Sequence, residues 1–171
     1  MNCWTLPDSI ELSTLLSWCR SAHGADRLLL ANRQIYKSRQ GELISPSAYM
    51  TAISLFEDRV LQERLARRWP GTVSTEQDCL IQIVEFDLPA IDSICSVSSN
   101  LFDWVSSADP PLPEDPCLFR RGATWPVLVS VTHERDAWLL SDERPPFDGI
   151  ERSRFTPDEL YIPPAESDFL G

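Results

Sequence analysis

The spacing of apolar residues changes several times along the chain, and each change marks an element. Leu12, Leu15, Leu16 and Cys19 recur at helical spacing, which predicts a helix over roughly 9–22 with one apolar stripe. Asp8 stands at the N-cap position, Glu11 three residues on completes a capping-box pattern, and Gly24 is a natural stop. Leu28 to Ala31 reads as a short buried strand. Ile35-Tyr36 and Leu43-Ile44 read as hairpin arms turning through Gln40-Gly41. Tyr49, Ala52, Ile53, Phe56 and Val60 fall on one helical face. Ser45 as cap, Pro46 in the first turn, Arg67 and Arg68 in the last, and the stop Trp69-Pro70-Gly71 complete a predicted helix over 45–68. Within it, Glu63 and Arg67 stand four apart as a surface ion pair.

Leu80 to Phe86 is β-branched and apolar on both faces, the pattern of a central strand. A third helix is predicted over 88–106, with Ile91, Ile94, Ser98, Leu101, Phe102 and Val105 at helical spacing. Residues 108–116 are rich in proline and acid, and read as loop or polyproline-like chain. Cys117 to Arg120 is extended. Val127 to Thr132 alternates, His133 to Asp136 turns, and Ala137 to Leu140 returns, which makes a β-hairpin. The last thirty or so residues are rich in proline and charge, with a single turn at Thr156 to Glu159 and the aromatic anchors Phe147, Phe155, Tyr161 and Phe169. The expected fold class is α+β: about three amphipathic helices on a mostly antiparallel sheet, a C-terminal β-hairpin and a Pro-rich tail. The expected organisation is one domain over 1–141, with 142–171 packed on it or partly disordered.

Composition narrows the function. The chain has 171 residues and a net charge of -11, which disfavours direct binding to nucleic acid or to an anionic membrane. No apolar run approaches the roughly 18 residues of a spanning helix, and the N-terminus lacks the pattern of a signal peptide. A cytoplasmic location is therefore expected. The five cysteines, Cys3, Cys19, Cys79, Cys95 and Cys117, include no C-x-x-C pair. They read as buried thiols rather than as a disulfide framework or zinc site. Phosphate-binding glycine loops, the G-x-S-x-G elbow and H-E-x-x-H are missing. No cofactor and no metal is expected.

Charge is uneven along the chain. Between Arg68 and Arg120 there is no base, while nine acids occur: Glu76, Asp78, Glu85, Asp87, Asp92, Asp103, Asp109, Glu114 and Asp115. Together with Trp104 and Phe102 as apolar anchors, the acids Asp103, Asp109, Glu114 and Asp115 make a candidate docking face for a basic protein. The leading expectation is an acidic binding domain. It would act as an inhibitor or immunity-type protein covering a toxin or a nucleic-acid-processing enzyme. One rival is a small hydrolase or transferase built on His133 with Glu134, Asp136 or Cys117, since imidazole beside carboxylate or thiol is acid–base and nucleophilic chemistry. Read plainly, the same His133 to Asp136 run is the polar tip of a hairpin. His23, near a helix end, reads as a favourable partner for the helix dipole. A further alternative is a structural subunit of a larger assembly.

Overall fold

The structure, a computed structural model, describes residues 1–37, 40–44, 54–72, 78–104 and 112–160. Its strands are β1 (Asn2–Thr5), β2 (Arg27–Lys37), β3 (Leu43–Ile44), β4 (Val60–Ala66), β5 (Cys79–Glu85), β6 (Glu114–Phe119), β7 (Leu128–Val131), β8 (Asp136–Ser141) and β9 (Glu151–Arg152). Its helices are α1 (Leu12–His23), α2 (Leu88–Val97) and the single turn α3 (Pro157–Leu160). The fold class is α+β. One antiparallel sheet runs in the order β4-β5-β2-β6-β7-β8-β1-β9, and β3 pairs with the far end of β2. The sheet is larger and the helical content lower than the apolar spacing implies.

Strand β2 organises the sheet, because it lies between β5 and β6 and is apolar on both faces. Leu28 and Leu30 enter one core, with Leu12, Leu15, Leu16 and Cys19 of α1 and Ile91 and Ile94 of α2. Leu29 and Ala31 enter a second core on the opposite face, with Ile81, Ile83, Cys117, Val129, Val131 and Trp138. Alternation along a strand sends neighbours to opposite faces, so a strand apolar at every position must be covered twice. The second face is closed in part by Trp69 and by Leu160, and Phe155 packs against it. Segment 142–160 therefore contributes to the domain itself: β9 pairs with β1, and Ile150 is buried in the first core.

Several elements follow the sequence closely. The β2–β3 hairpin pairs Tyr36 with Ile44 and Lys37 with Leu43. β5 is central between β4 and β2. β7 and β8 form the predicted hairpin, with Val129 opposite Trp138. Gly24 ends α1 at φ 66°. Glu159 closes the start of α3, its carboxylate accepting from both the Thr156 amide and the Thr156 hydroxyl.

Other expectations are overturned. The predicted helix over 45–68 fails in its second half, where Val60–Ala66 is strand β4 and only Glu57–Arg59 makes a helical turn, of the 3-10 type. Pairing with β5 outweighs local helical spacing, a tertiary override of a weak local preference. Residues 45–53, including Ser45, Pro46, Tyr49, Ala52 and Ile53, lie outside the described residues, and Ser54 beside them is helical. The Glu63–Arg67 pair dissolves with the helix: Glu63 accepts from Gln82, and Arg67 Nε binds Asp78 at 2.7 Å. Asp8 does not cap α1. The N-cap is Glu11, which makes no side-chain cap bond and accepts instead from the hydroxyls of Ser13 and Thr14. The third helix stops at Val97. Asp87 caps its start by accepting from the Ala90 amide, but Ser98 is extended and the Asn100 side chain takes the Phe102 amide. Such side-chain bonds compete with helix continuation. Finally, Glu114, Asp115 and Pro116 are strand, not loop.

That last correction shapes the site. Ala31 pairs with Glu114 and Leu29 with Cys117, so Leu30 alone stands opposite Asp115 and Pro116. This is a β-bulge, and Asp115 takes a left-handed φ of 49° within it. Proline is tolerated there because a bulge has no ladder donor to lose at that position.

A second close approach seals the same region. A Cβ on Gly71 (φ 79°) would lie 2.7 Å from Val131 Cγ2 and 3.2 Å from Val129 Cγ1, whereas at Gly122 (φ 69°) it would meet nothing. Gly71→Ala should destabilise the fold by roughly 2–4 kcal/mol, a left-handed penalty plus overpacking, and Gly122→Ala by only about 1–2 kcal/mol. Chemical denaturation of both variants checks this; equal losses would remove the packing argument.

Candidate functional site

Four segments meet at one end of the sheet. β2 supplies Arg33, which continues the second-core row of Leu29 and Ala31 by strand alternation. The β6 bulge supplies Glu114 and Asp115. In a regular strand these neighbours would point to opposite faces; the left-handed residue turns both carboxylates to one side. The turn Thr132–Glu134 between β7 and β8, closed by Arg135 at φ 59°, supplies Thr132 and His133. The loop before Gly71 supplies Trp69.

Asp115 is fully buried, yet both of its side-chain oxygens are hydrogen-bonded. Oδ2 accepts from Trp69 Nε1 at 3.0 Å. Oδ1 accepts from the Thr132 amide at 2.9 Å and from its hydroxyl at 3.2 Å. Glu114, only 10% exposed at its side chain, pairs with Arg33 Nη1 at 2.9 Å. His133 is 42% exposed and its Nδ1 lies 3.6 Å from Asp115 Oδ1 and 4.0 Å from Glu114 Oε2. Arg33 Nη1 is 3.2 Å from Nδ1, and Glu134 Oε1 is 3.8 Å from Nε2. Burial pushes the Glu114 carboxyl above the usual range; the Arg33 charge pulls it back and the Asp115 charge pushes it up again. The three groups Glu114, Asp115 and His133 offer one ligand atom each within 4.8 Å of one another.

The expected site residues scatter around this centre. His133 and Glu134 belong to it, and Glu114 and Asp115 join them from β6 as buried groups rather than as exposed docking charges. Trp104 and Phe102 are core residues, not surface anchors: both are buried in the first core, and Trp104 Nε1 donates to the Pro113 carbonyl. Cys117 is a buried thiol whose Sγ lies 3.4 Å from the Asp115 carbonyl oxygen, and burial pushes its pKa far up. Its burial argues against the accessible thiolate that the rival reading needs. Asp103 reaches solvent and accepts from Arg135 at 3.1 Å. Asp109 lies outside the described residues. Asp136 is exposed at the start of β8. The base-free stretch does not form one acidic face, because Arg67 meets Asp78, Arg59 meets Asp87 through both carboxylate oxygens, and Arg33 meets Glu114. His23 stands in the last turn of α1 as expected; its ring lies tilted at 57° against Trp18 with centroids 4.4 Å apart, and burial disfavours its charged form.

Arg33 and Trp69 were not among the residues expected here. The signal for Arg33 was a cation extending an apolar alternating row, and its meaning depended on the strand pairing. Two clefts elsewhere, of about 580 and 480 Å3, are lined by Trp18, His23 and Ser141 and by Arg20, Asp26 and Leu88. Neither includes His133. Among the described residues no helix is long and apolar enough to cross a membrane.

No protein-family model matches the chain, and no curated protein or solved structure matches it at a significant level.

The raised Glu114 carboxyl carries a signed consequence. The folded state holds that proton to higher pH than the unfolded state does, so Glu114 costs stability as pH rises from the usual carboxylate range through its own pKa. Against Glu114→Gln, the wild type should therefore lose ground as pH rises above the usual carboxylate range. Parallel urea titrations of the two proteins measure it, and a constant difference over that rise would contradict the assignment. Asp115→Ala should cost at least about 2 kcal/mol, since it leaves the Trp69 and Thr132 donors buried without an acceptor.

Proposed function

We propose that this chain is a protein-binding domain for a basic partner, of the inhibitor or immunity type, and that it docks through the acidic end of the hairpin. The supporting observation is the meeting of Asp8 and Asp103 at the Arg135 guanidinium, with Glu134 and Asp136 flanking Arg135 in sequence at the same hairpin tip. Arg135 contacts Asp103 at 3.1 Å and Asp8 at 3.5 Å. The Asp136 carboxyl is pushed up first by burial and then by the Glu134 charge, with Arg154 opposing and Asp8 adding to the rise. The four carboxylates come from three separate segments and all reach solvent. Arg135 and Arg154 do not balance four acids, and a patch with excess negative charge draws a basic protein into register before apolar contact forms.

In this reading Glu134 is part of the surface charge, and neither it nor His133 is catalytic machinery. Asp103 carries over from the docking residues expected from sequence, whereas Trp104 and Phe102 support the fold.

The test is charge reversal at Asp8, Asp103 and Glu134 to lysine, beside a control reversing the exposed Glu85, Asp92 and Glu151. Both proteins and the wild type are used to capture partners at low salt from the cells that make the chain. A basic protein held by the wild type and the control, lost by the face variant and released by salt is the expected result. Its association rate with the face variant should fall at least about tenfold at low ionic strength. Equal capture by the face variant and the control would end the proposal.

A further inference from the structure

We propose that Glu114, Asp115 and His133 form a site for one divalent transition-metal ion of the zinc class, and that Arg33 occupies it as a competing internal cation. The donors are two carboxylate oxygens and one imidazole nitrogen within 4.8 Å of one another. A tetrahedral ion with ligands at roughly 2.0–2.2 Å sets donors about 3.4 Å apart. Nδ1 already stands 3.6 Å from Asp115 Oδ1 and 4.0 Å from Glu114 Oε2. The remaining closure lies within rotation of the solvent-reached His133 ring and the Glu114 side chain.

Two features separate this centre from a solvated group of acids. First, the carboxylates are 10% and 0% exposed, so water does little to screen them. One guanidinium against two buried carboxylates leaves a negative charge that a divalent ion would offset. Second, a cation of the chain itself already sits there: Arg33 Nη1 lies 2.9 Å from Glu114 Oε2 and 3.2 Å from His133 Nδ1. Guanidinium only donates, so the ring nitrogen bonded to it presents a lone pair, the form that ligates metal.

The surroundings suit ligation. Trp69 and Thr132 hold both Asp115 oxygens and stop the carboxylate from rotating. Glu134, 3.8 Å from His133 Nε2, is placed to orient the ring from the far side. Arg33 is 34% exposed on a long side chain, so it leaves for solvent when the ion enters. The donor set is nitrogen and oxygen without sulfur, which favours zinc, cobalt or nickel over soft monovalent copper. Three protein ligands leave a fourth position open to water.

The site is independent of the basic-partner reading, and its test uses the metal alone. Cobalt(II) is titrated into the full chain and followed by visible absorption, with zinc binding measured by calorimetry. One ion per chain is expected. His133→Ala should weaken binding at least about tenfold, and Arg33→Met, which removes the competitor, should tighten it about tenfold. His133→Gln serves if the alanine variant fails to fold. The proposal is overturned if neither wild type nor Arg33→Met binds cobalt saturably. It is equally overturned if loss of His133 leaves affinity unchanged, or if sulfur-to-cobalt charge-transfer bands show that a cysteine is the ligand.

Discussion

The Asp115 side chain is taken wholly out of water, and the chain around it is arranged to hydrogen-bond both of its oxygens there. Trp69 Nε1, the Thr132 amide and the Thr132 hydroxyl all donate to it. Each donor comes from a different part of the chain than β6, so one side chain ties the 69–71 loop and the β7–β8 turn to the bulge. The left-handed backbone at Asp115 would be costly for a residue without such compensation. Once it is accepted, Glu114 turns to the same side, Arg33 is drawn in from β2, and His133 closes over the group. The packing of Gly71 against Val129 and Val131 follows from the same convergence, because Trp69 reaches Asp115 only if the loop lies flat on the sheet.

Charge is distributed by the fold in a way linear order conceals. Three acids of the middle stretch are answered by arginines from other parts of the chain: Arg59 reaches Asp87, Arg67 reaches Asp78 and Arg33 reaches Glu114. Pairing of this kind keeps a strongly acidic chain compact despite self-repulsion. At the hairpin tip Asp8 and Asp103 meet Arg135, and the exposed Glu134 and Asp136 flank it in sequence. The buried polar centre and the exposed acidic end are thus neighbours on one hairpin tip, with His133 and Glu134 belonging to both.

Much of the fold was readable because its signals were local. The stripe Leu12, Leu15, Leu16, Cys19 and the αL glycine at 24 specify α1. Two-sided apolar runs specify β2 and β5, and Val127 to Leu140 specifies a hairpin. Failures came where a local pattern competed with partner strands. Val60–Ala66 carries helix-compatible spacing but completes the sheet beside β5. Glu114 to Pro116 has loop composition but pairs with β2 through a bulge.

The amino-acid sequence by itself determined the α+β class, the principal strands, the two apolar faces and the overall acidity, since these depend on periodicity and composition within a few residues. Tertiary structure alone decided which acids are answered, that Trp104 and Phe102 face inward, and that His133 meets Glu114 and Asp115. Those outcomes depend on strand order and on one bulged register. A single extra residue in β6 reverses which side a carboxylate faces, and no local pattern records the partner strand against which it is extra.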